Sequence, residues 1–120
     1  MDKLKRIEEL KAELGSLQNE MVEELEDKWL GKIIRIEEDS YKRISYFHVE
    51  SVDEDCFLGS AIFLGSEDNE IDFDVYEEEY YRHHLEEGKQ VTMDDIKKEM
   101  LEASERRVDW LLKLYKEEWY

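Results

Sequence analysis

The residues of this sequence that could do chemistry are mostly carboxylates, and they are concentrated in its middle. Between Glu50 and Glu79 the chain has twelve acidic residues and no Lys or Arg. They are Glu50, Asp53, Glu54, Asp55, Glu67, Asp68, Glu70, Asp72, Asp74, Glu77, Glu78 and Glu79. The same thirty residues include a long apolar run, Phe57 to Leu64. A segment that is both apolar enough to form core and this acidic must expose its charge on one side, so we expect an anionic surface carried by a folded element.

The segment from Glu70 to Tyr76 alternates polar and apolar residues, which is typical of a half-buried β-strand. We predict that three apolar side chains face the core: Ile71, Phe73 and Val75. The other set faces solvent: Glu70, Asp72, Asp74 and Tyr76. Residues two apart on a strand lie about 6.6 Å from each other on one face. The pattern therefore predicts a regular row of carboxylates.

A row of this kind is comparable in scale to the phosphates of a nucleic-acid strand. A protein that binds nucleic acid with Lys and Arg would be attracted to it for the same electrostatic reason. The alternative is that these acids form a solvated face that prevents edge-to-edge strand pairing. On the first interpretation the partner-binding residues are Asp53, Glu54, Asp55, Glu67, Asp68, Glu70, Asp72, Asp74, Glu77, Glu78 and Glu79.

Patterns for metal binding and catalysis are poor by comparison. If Asp68 is the first residue of a calcium loop, the sixth is Phe73, where such a loop requires Gly. His83 and His84 are adjacent and point in different directions in any regular structure, so we interpret them as a surface pair. The sequence contains no Gly-rich phosphate loop, nucleophile elbow or HExxH motif. We predict a protein that is not an enzyme and has no metal or cofactor.

The overall composition limits the kind of partner. The 120 residues carry a formal net charge of −17, which repels nucleic acid and anionic membranes and attracts basic proteins. We therefore expect neither direct nucleic-acid binding nor membrane binding. The N-terminus lacks the apolar region of a secretory signal, and no segment approaches the roughly 20 apolar residues of a membrane span. We expect a soluble, intracellular protein.

The elements that must position the acids form one predicted domain of α+β class. An N-terminal helical region (1–29) precedes an antiparallel sheet region (31–91), and a C-terminal helix (92–120) begins with Thr92 as its N-cap. The sheet has four to five strands arranged as a meander or a partly closed barrel. Residues 77–89 fit either a short fifth strand or a helical turn. The C-terminal helix has a broad apolar face that continues to the end of the chain. This face comprises Ile96, Met100, Leu101, Val108, Leu111, Leu112, Tyr115 and Trp119.

The N-terminal helix has an apolar stripe with coiled-coil spacing. The stripe consists of Ile7, Leu10, Leu14, Leu17 and Met21. Two and a half heptads are fewer than the three or four that a sustained coiled coil usually shows. We expect this helix to pack on its own domain or on the C-terminal helix; the alternative is self-association of two chains into a homodimer through the stripe.

In length, acidity and layout the chain resembles the small accessory proteins of phages and mobile elements, including anti-CRISPR proteins. The resemblance lies in Gly31-Lys32 leading into Ile33-Ile34, in the segment from Val49 to Asp55, and in Phe57-Leu58. Several such inhibitors present DNA-like charge to the nucleic-acid channel of a defence protein. This resemblance implies a DNA mimic that acts in the cytoplasm of a bacterial host.

Two functions are therefore expected from the sequence. The first is non-catalytic inhibition of a basic nucleic-acid-handling protein, such as a CRISPR effector, a restriction enzyme or a nuclease. The alternative is a structural or scaffold protein that oligomerises through the N-terminal stripe.

Overall fold

The chain folds into an open antiparallel sheet that carries a long helix on each face. The computed structural model describes residues 2–54 and 56–118. Asp55 of the predicted binding set and Trp119 of the predicted C-terminal face lie outside these residues. In chain order the helices and strands are α1 (Asp2–Trp29), β1 (Ile33–Glu38), β2 (Arg43–Asp53), β3 (Cys56–Gly65), β4 (Ile71–Tyr81), α2 (Arg82–Glu87), β5 (Lys89–Val91) and α3 (Met93–Glu117).

The strand order β4-β3-β2-β1-β5 confirms the predicted α+β fold with an antiparallel sheet. Strands β1 to β4 form a meander, and β5 pairs with the other edge of β1, Val91 opposite Ile33. The sheet does not close into a barrel. The undecided segment 77–89 contains three elements: the end of β4, the helix α2 and the start of β5.

Each face of the sheet has its own hydrophobic core. On the α1 face, Phe47, Val49 and Phe57 are fully buried under Leu25 of α1 and Leu85 of α2. On the α3 face, a second cluster is covered by Ile96 and Ala103 of α3. Its sheet residues include Ile44, Tyr46, Leu64 and Val91. Because both faces are covered over the central strands, β3 has the near-continuous apolar sequence that such burial requires.

An ion pair fastens the first half of α3 to the sheet. The guanidinium of Arg35 on β1 donates two hydrogen bonds to Glu99 on α3, at 2.8 and 2.9 Å, and Tyr46 also donates to Glu99. The helix begins at the predicted N-cap. The Thr92 side chain accepts a hydrogen bond from the Asp95 backbone N–H, and the Asp95 side chain accepts one from the Thr92 backbone N–H.

The first half of β4 does not have the predicted regular alternation. The register with β3 shifts between Ala61 and Phe63, so that Tyr76 lies opposite Ala61 whereas Asp72 lies opposite Phe63. Three residues of β4 therefore bulge out opposite the single residue Ile62. Phe73 is 90% exposed and Val75 is 70% exposed, so the prediction that both face the core was wrong. Ile71, before the bulge, does pack against the α3-face cluster.

Both long helices extend well beyond the sheet. Leu25 is the buried residue of α1, and the stripe residues Ile7 to Met21 are 48–57% exposed. The last two turns of α1 do pack on the sheet, as expected, but the stripe packs neither on the sheet nor on α3. In α3, Val108, Leu111 and Leu112 are 51–58% exposed, because they follow the last buried residue, Ala103, where the helix runs past the edge of the sheet. Leu101 is 55% exposed because it lies on a different side of the helix from Ile96 and Ala103. The chain measures 91 × 25 × 22 Å.

The two helices leave the sheet at different ends. The turn that follows α1 is tied to the middle of β2, where the Gly31 N–H donates to the Val49 carbonyl. Helix α3 instead crosses the opposite face toward the β3–β4 turn, where Arg106 contacts Asn69 and Arg107 contacts Asp68. Among the described residues no helix is both long and apolar enough to cross a membrane.

Candidate functional site

The structure brings several of the predicted acids together at one end of the sheet. Glu50 of β2 and Glu77 and Glu79 of β4 lie on the α3 face, beyond the part that α3 covers, and all three are exposed. Asp53, the last residue of β2, and Glu54, in the β2–β3 turn, are also exposed. We call these five residues the acidic sheet end.

Strand pairing sets the spacing of the acidic sheet end. Glu77 and Glu79 are two residues apart on β4, which places them about 6.6 Å from each other. Across β3, Glu77 pairs with Ser60, and Ser60 pairs with His48 of β2. Because adjacent strands lie about 4.8 Å apart, the acids on β2 and β4 form two lines roughly 10 Å apart.

The position of Glu50 follows from an irregularity in β2. The β2–β3 register shifts between Val49 and Ser51, so Glu50 is the extra residue of a bulge. Ser60 of β3 donates a hydrogen bond of 2.7 Å to Glu50, which fixes its carboxylate on the α3 face. Gly59 permits this close approach, since a Cβ there would lie 1.8 Å from the His48 carbonyl oxygen.

Few positively charged groups lie close to the carboxylates of the acidic sheet end. His48 Nδ1 lies 3.6 Å from Glu50, and this is the one ion-pair contact that the described residues make with the set. In the described chain, the carboxylates of Asp53, Glu54, Glu77 and Glu79 have no Lys or Arg nitrogen within 4.0 Å. Their field is therefore directed toward solvent and toward any partner that approaches this end.

Two apolar side chains lie among these acids. Leu58 of β3 is 42% exposed and lies in register with Glu79, and Tyr81 at the end of β4 is half exposed. Leu58, Ser51 and Gly59 line an open depression of about 400 Å³ together with three acids of this set and with Glu78; the three acids are Glu50, Glu77 and Glu79. The surface thus has apolar contact area inside a rim of charge, which is the usual composition of a protein-binding surface.

The predicted acids of the β3–β4 turn are at the other end of the sheet and lie beside bases. Glu67 is 3.7 Å from Lys42, and Glu70 is 4.0 Å from Arg107. Arg107 also donates to the Asp68 carbonyl oxygen at 3.1 Å. The charges of Glu67 and Glu70 are therefore partly compensated within the chain itself.

The three remaining predicted acids do not form a row with the others. Asp72 turns into the β4 bulge, where it accepts hydrogen bonds from the Tyr76 hydroxyl at 2.8 Å and the Asp74 backbone N–H at 3.1 Å. The bond to Asp72 raises the pKa of Tyr76 above its ordinary value. Glu78 points to the α1 face, in register with Gly59. The continuous row expected along β4 is thus broken by the bulge.

The two adjacent histidines both contact Tyr81, at the start of α2. The Tyr81 backbone N–H donates to His84 Nδ1 at 3.1 Å, and this bond caps the start of α2. His83 stacks on Tyr81 with a ring-centroid distance of 6.2 Å. Within the described residues there is no group of three or more His, Cys, Asp and Glu side chains placed to hold a metal ion.

Glu50, Leu58 and Tyr81 belong to this surface, but the sequence did not select them as binding residues. Glu50 was among the twelve acids of the segment from Glu50 to Glu79. The β2–β3–β4 register, which joins it to Glu77 and Glu79, is a property of strand pairing that no local pattern reveals.

No known family, no curated protein and no solved structure matches this chain.

Proposed function

We propose that this protein is a non-catalytic inhibitor whose acidic sheet end occupies the nucleic-acid-binding surface of a basic partner. Uncompensated carboxylates held on paired strands are the observation that carries the proposal. They replace the linear row along β4 as the surface that would stand in for phosphates. Asp72 and Asp74 then contribute less than the sequence pattern suggested.

Electrostatics favours a partner that binds nucleic acid through Lys and Arg. The chain has 34 acidic and 17 basic residues, so its overall field attracts a cationic groove. Arg and Lys side chains pair with carboxylates as they do with phosphates. A CRISPR effector, a restriction enzyme or a nuclease has this chemistry, and such a partner would be met in a bacterial cytoplasm.

A second property supports binding through the sheet rather than through a loop. Glu50, Glu77 and Glu79 sit on strands whose backbones are already fixed by ladder hydrogen bonds. Little backbone conformational entropy is therefore lost when a partner binds, and the remaining cost is that of ordering the side chains. Leu58 and Tyr81 supply apolar area that a nucleic acid would offer through its bases and sugars. Charge complementarity of this kind speeds association and makes it sensitive to salt.

The test replaces charge at the acidic sheet end and measures competition with DNA. Glu77→Lys combined with Glu79→Lys should weaken inhibition of DNA binding by a host nuclease or CRISPR effector by at least about tenfold, since charged interface pairs contribute several-fold each. The affinity of the wild type should also fall as salt rises from 50 to 300 mM. Fluorescence anisotropy of a labelled duplex, with the effector at fixed concentration, reads both effects.

The matched control changes the same net charge elsewhere. Glu102→Lys with Glu105→Lys reverses two exposed acids of α3 that have no ion-pair partner among the described residues. This variant should retain nearly all of the inhibition. Equal loss in both variants would mean that total charge, not this surface, determines binding, and unchanged inhibition in the first would refute the proposed site.

A scaffold function through α1 is the second candidate. The exposure of its stripe favours it, because apolar side chains at coiled-coil spacing are normally covered by a partner helix. The two functions are compatible, since the stripe and the acidic sheet end are on different elements.

A further inference from the structure

We propose that two copies of the chain associate through α1 in the antiparallel direction. The inference deepens the scaffold function, on which it rests, by naming the partner as a second copy and by fixing its orientation. It does not depend on the acidic sheet end, which is tested separately.

Helix α1 needs a partner for most of its length. Only the last two turns of α1 pack on the sheet. There Leu25 is buried, and Trp29 packs edge-on against Phe57 at a ring-centroid distance of 6.4 Å. The preceding residues, about 20 in number, form a helix with exposed side chains and a glycine, Gly15, in the middle. Helices without tertiary support are marginal in water, and an interior Gly lowers helix stability further. A second apolar stripe would supply the missing packing.

The charge along α1 indicates that this stripe belongs to another copy running the opposite way. Residues 3–11 contain four bases and two acids, whereas residues 20–28 contain five acids and one base. In a parallel pair, like halves face each other. In an antiparallel pair, the basic half of each copy faces the acidic half of the other. The polarity of α1 is therefore complementary to itself only in the antiparallel orientation.

The stripe also fits an antiparallel two-fold register. If the axis passes at the level of residue 12, Ile7 lies opposite Leu17 of the second copy and Leu10 lies opposite Leu14. This gives four apolar layers. Arg6 and Glu20 each precede a stripe residue and lie along the same edge of the stripe, so Arg6 of each copy faces Glu20 of the other. In a parallel pair the same edge would place Arg6 against Lys11.

The orientation places the two sheets at opposite ends of the helix pair. Leu25 lies 13 residues from the axis, or about 20 Å at 1.5 Å per residue. The two points where α1 meets its sheet, at Leu25 of each copy, are then about 40 Å apart. The dimer then has one acidic sheet end at each end of the helix pair, so it carries two equal anionic surfaces.

The association is measured on the whole chain by light scattering after size exclusion and by sedimentation equilibrium. The wild type should have twice the chain mass of 14.6 kDa, and Leu14→Asp should have the mass of one chain. Asn19→Asp adds the same charge on the opposite side of α1 and should remain dimeric. Near-UV circular dichroism checks that the sheet domain is intact in both. A monomeric wild type, or a dimeric Leu14→Asp, overturns the proposal.

The orientation is tested by reversing one charge and then restoring the pair. Arg6→Glu should weaken the dimer by about tenfold in Kd, because two pairs per dimer change from attraction to repulsion. Adding Glu20→Arg should restore the wild-type Kd. In a parallel dimer, the glutamate of Arg6→Glu would face Lys11, so this variant would lower the Kd. A dimer strengthened by Arg6→Glu would therefore overturn the antiparallel orientation.

Discussion

At the scale of single residues, Glu99 joins α3 to two strands of the sheet through its contacts with Arg35 and Tyr46. Partial burial raises the pKa of Glu99, but the hydrogen bonds from Arg35 and Tyr46 outweigh this and hold the pKa below its ordinary value. The same contacts raise the pKa of Arg35, and burial together with Glu99 raises the pKa of Tyr46. The three groups thus hold one another in the protonation states that favour the contact.

Replacing Glu99 by Gln should lower the free energy of unfolding by about 1–2 kcal/mol, because charge-assisted hydrogen bonds are lost at a partly exposed site. Urea unfolding at pH 7 gives the difference. Glu102→Gln, three residues along α3 and exposed, is the control and should change stability by less than about 0.5 kcal/mol. If both variants have the same stability as the wild type, the ion pair does not fasten α3.

The contribution of Glu99 should also depend on pH in a defined direction. Its pKa is lower in the folded than in the unfolded state, so the unfolded state binds more protons between the two values. The stabilisation is complete above the ordinary value of 4.5 and is lost as pH falls through the lower folded value. The difference in unfolding free energy between wild type and Glu99→Gln should therefore shrink below about pH 4.5. A difference that grows on acidification would contradict this assignment.

At the scale of elements, the bulge in β4 determines which of its side chains are buried. A strand with strict alternation would place Phe73 and Val75 under α1 or α3. The three-residue bulge opposite Ile62 instead leaves both exposed, while Phe63 on the neighbouring strand stays buried beneath Arg43, whose guanidinium lies 3.9 Å from its ring centroid. Bulges at sheet edges also hinder pairing with other chains, and β4 is an edge strand.

Two phenylalanine substitutions test the bulge. Phe73→Ser should change the free energy of unfolding by no more than about 0.5 kcal/mol, because the side chain is exposed. Phe63→Ala should lower it by about 3–5 kcal/mol through loss of buried contacts. Chemical denaturation of both variants gives the comparison. Comparable destabilisation by the two changes would mean that β4 follows the regular alternation after all.

At the scale of the whole molecule, the chain is far more extended than its length requires. Its radius of gyration is 21.6 Å, whereas a compact domain of 120 residues would have about 14 Å. The difference comes from α1 and the second half of α3, which project from the sheet with exposed apolar residues. Such helices are typical of proteins that assemble with partners.

Small-angle X-ray scattering on a monomeric variant measures this extension directly. Leu14→Asp at low concentration should give a radius of gyration near 22 Å if α1 continues to project. If α1 instead folded back on the sheet, the value would approach the roughly 14 Å of a compact domain. That outcome would remove the structural basis for assembly through the helices.

Local chemistry in the sequence determined most of the secondary structure. The heptad spacing of α1 and the Thr92 N-cap of α3 each depend on residues a few positions apart, so both can be predicted without the fold. The apolar run from Phe57 to Leu64 likewise indicated a core-forming segment. The net charge of −17 defined the sign of the partner that the proposed function requires.

Only the tertiary structure decided which acids lie together and which apolar faces are covered. The pairing of β2, β3 and β4 joins Glu50 to Glu77 and Glu79, which are 27 or more residues away, and the bulge separates Asp72 and Asp74 from them. The exposure of Ile7 to Met21 depends on the angle at which α1 leaves the sheet. Strand register and helix direction are fixed by contacts between distant residues, and an amphipathic pattern predicts that a face needs covering without specifying what covers it.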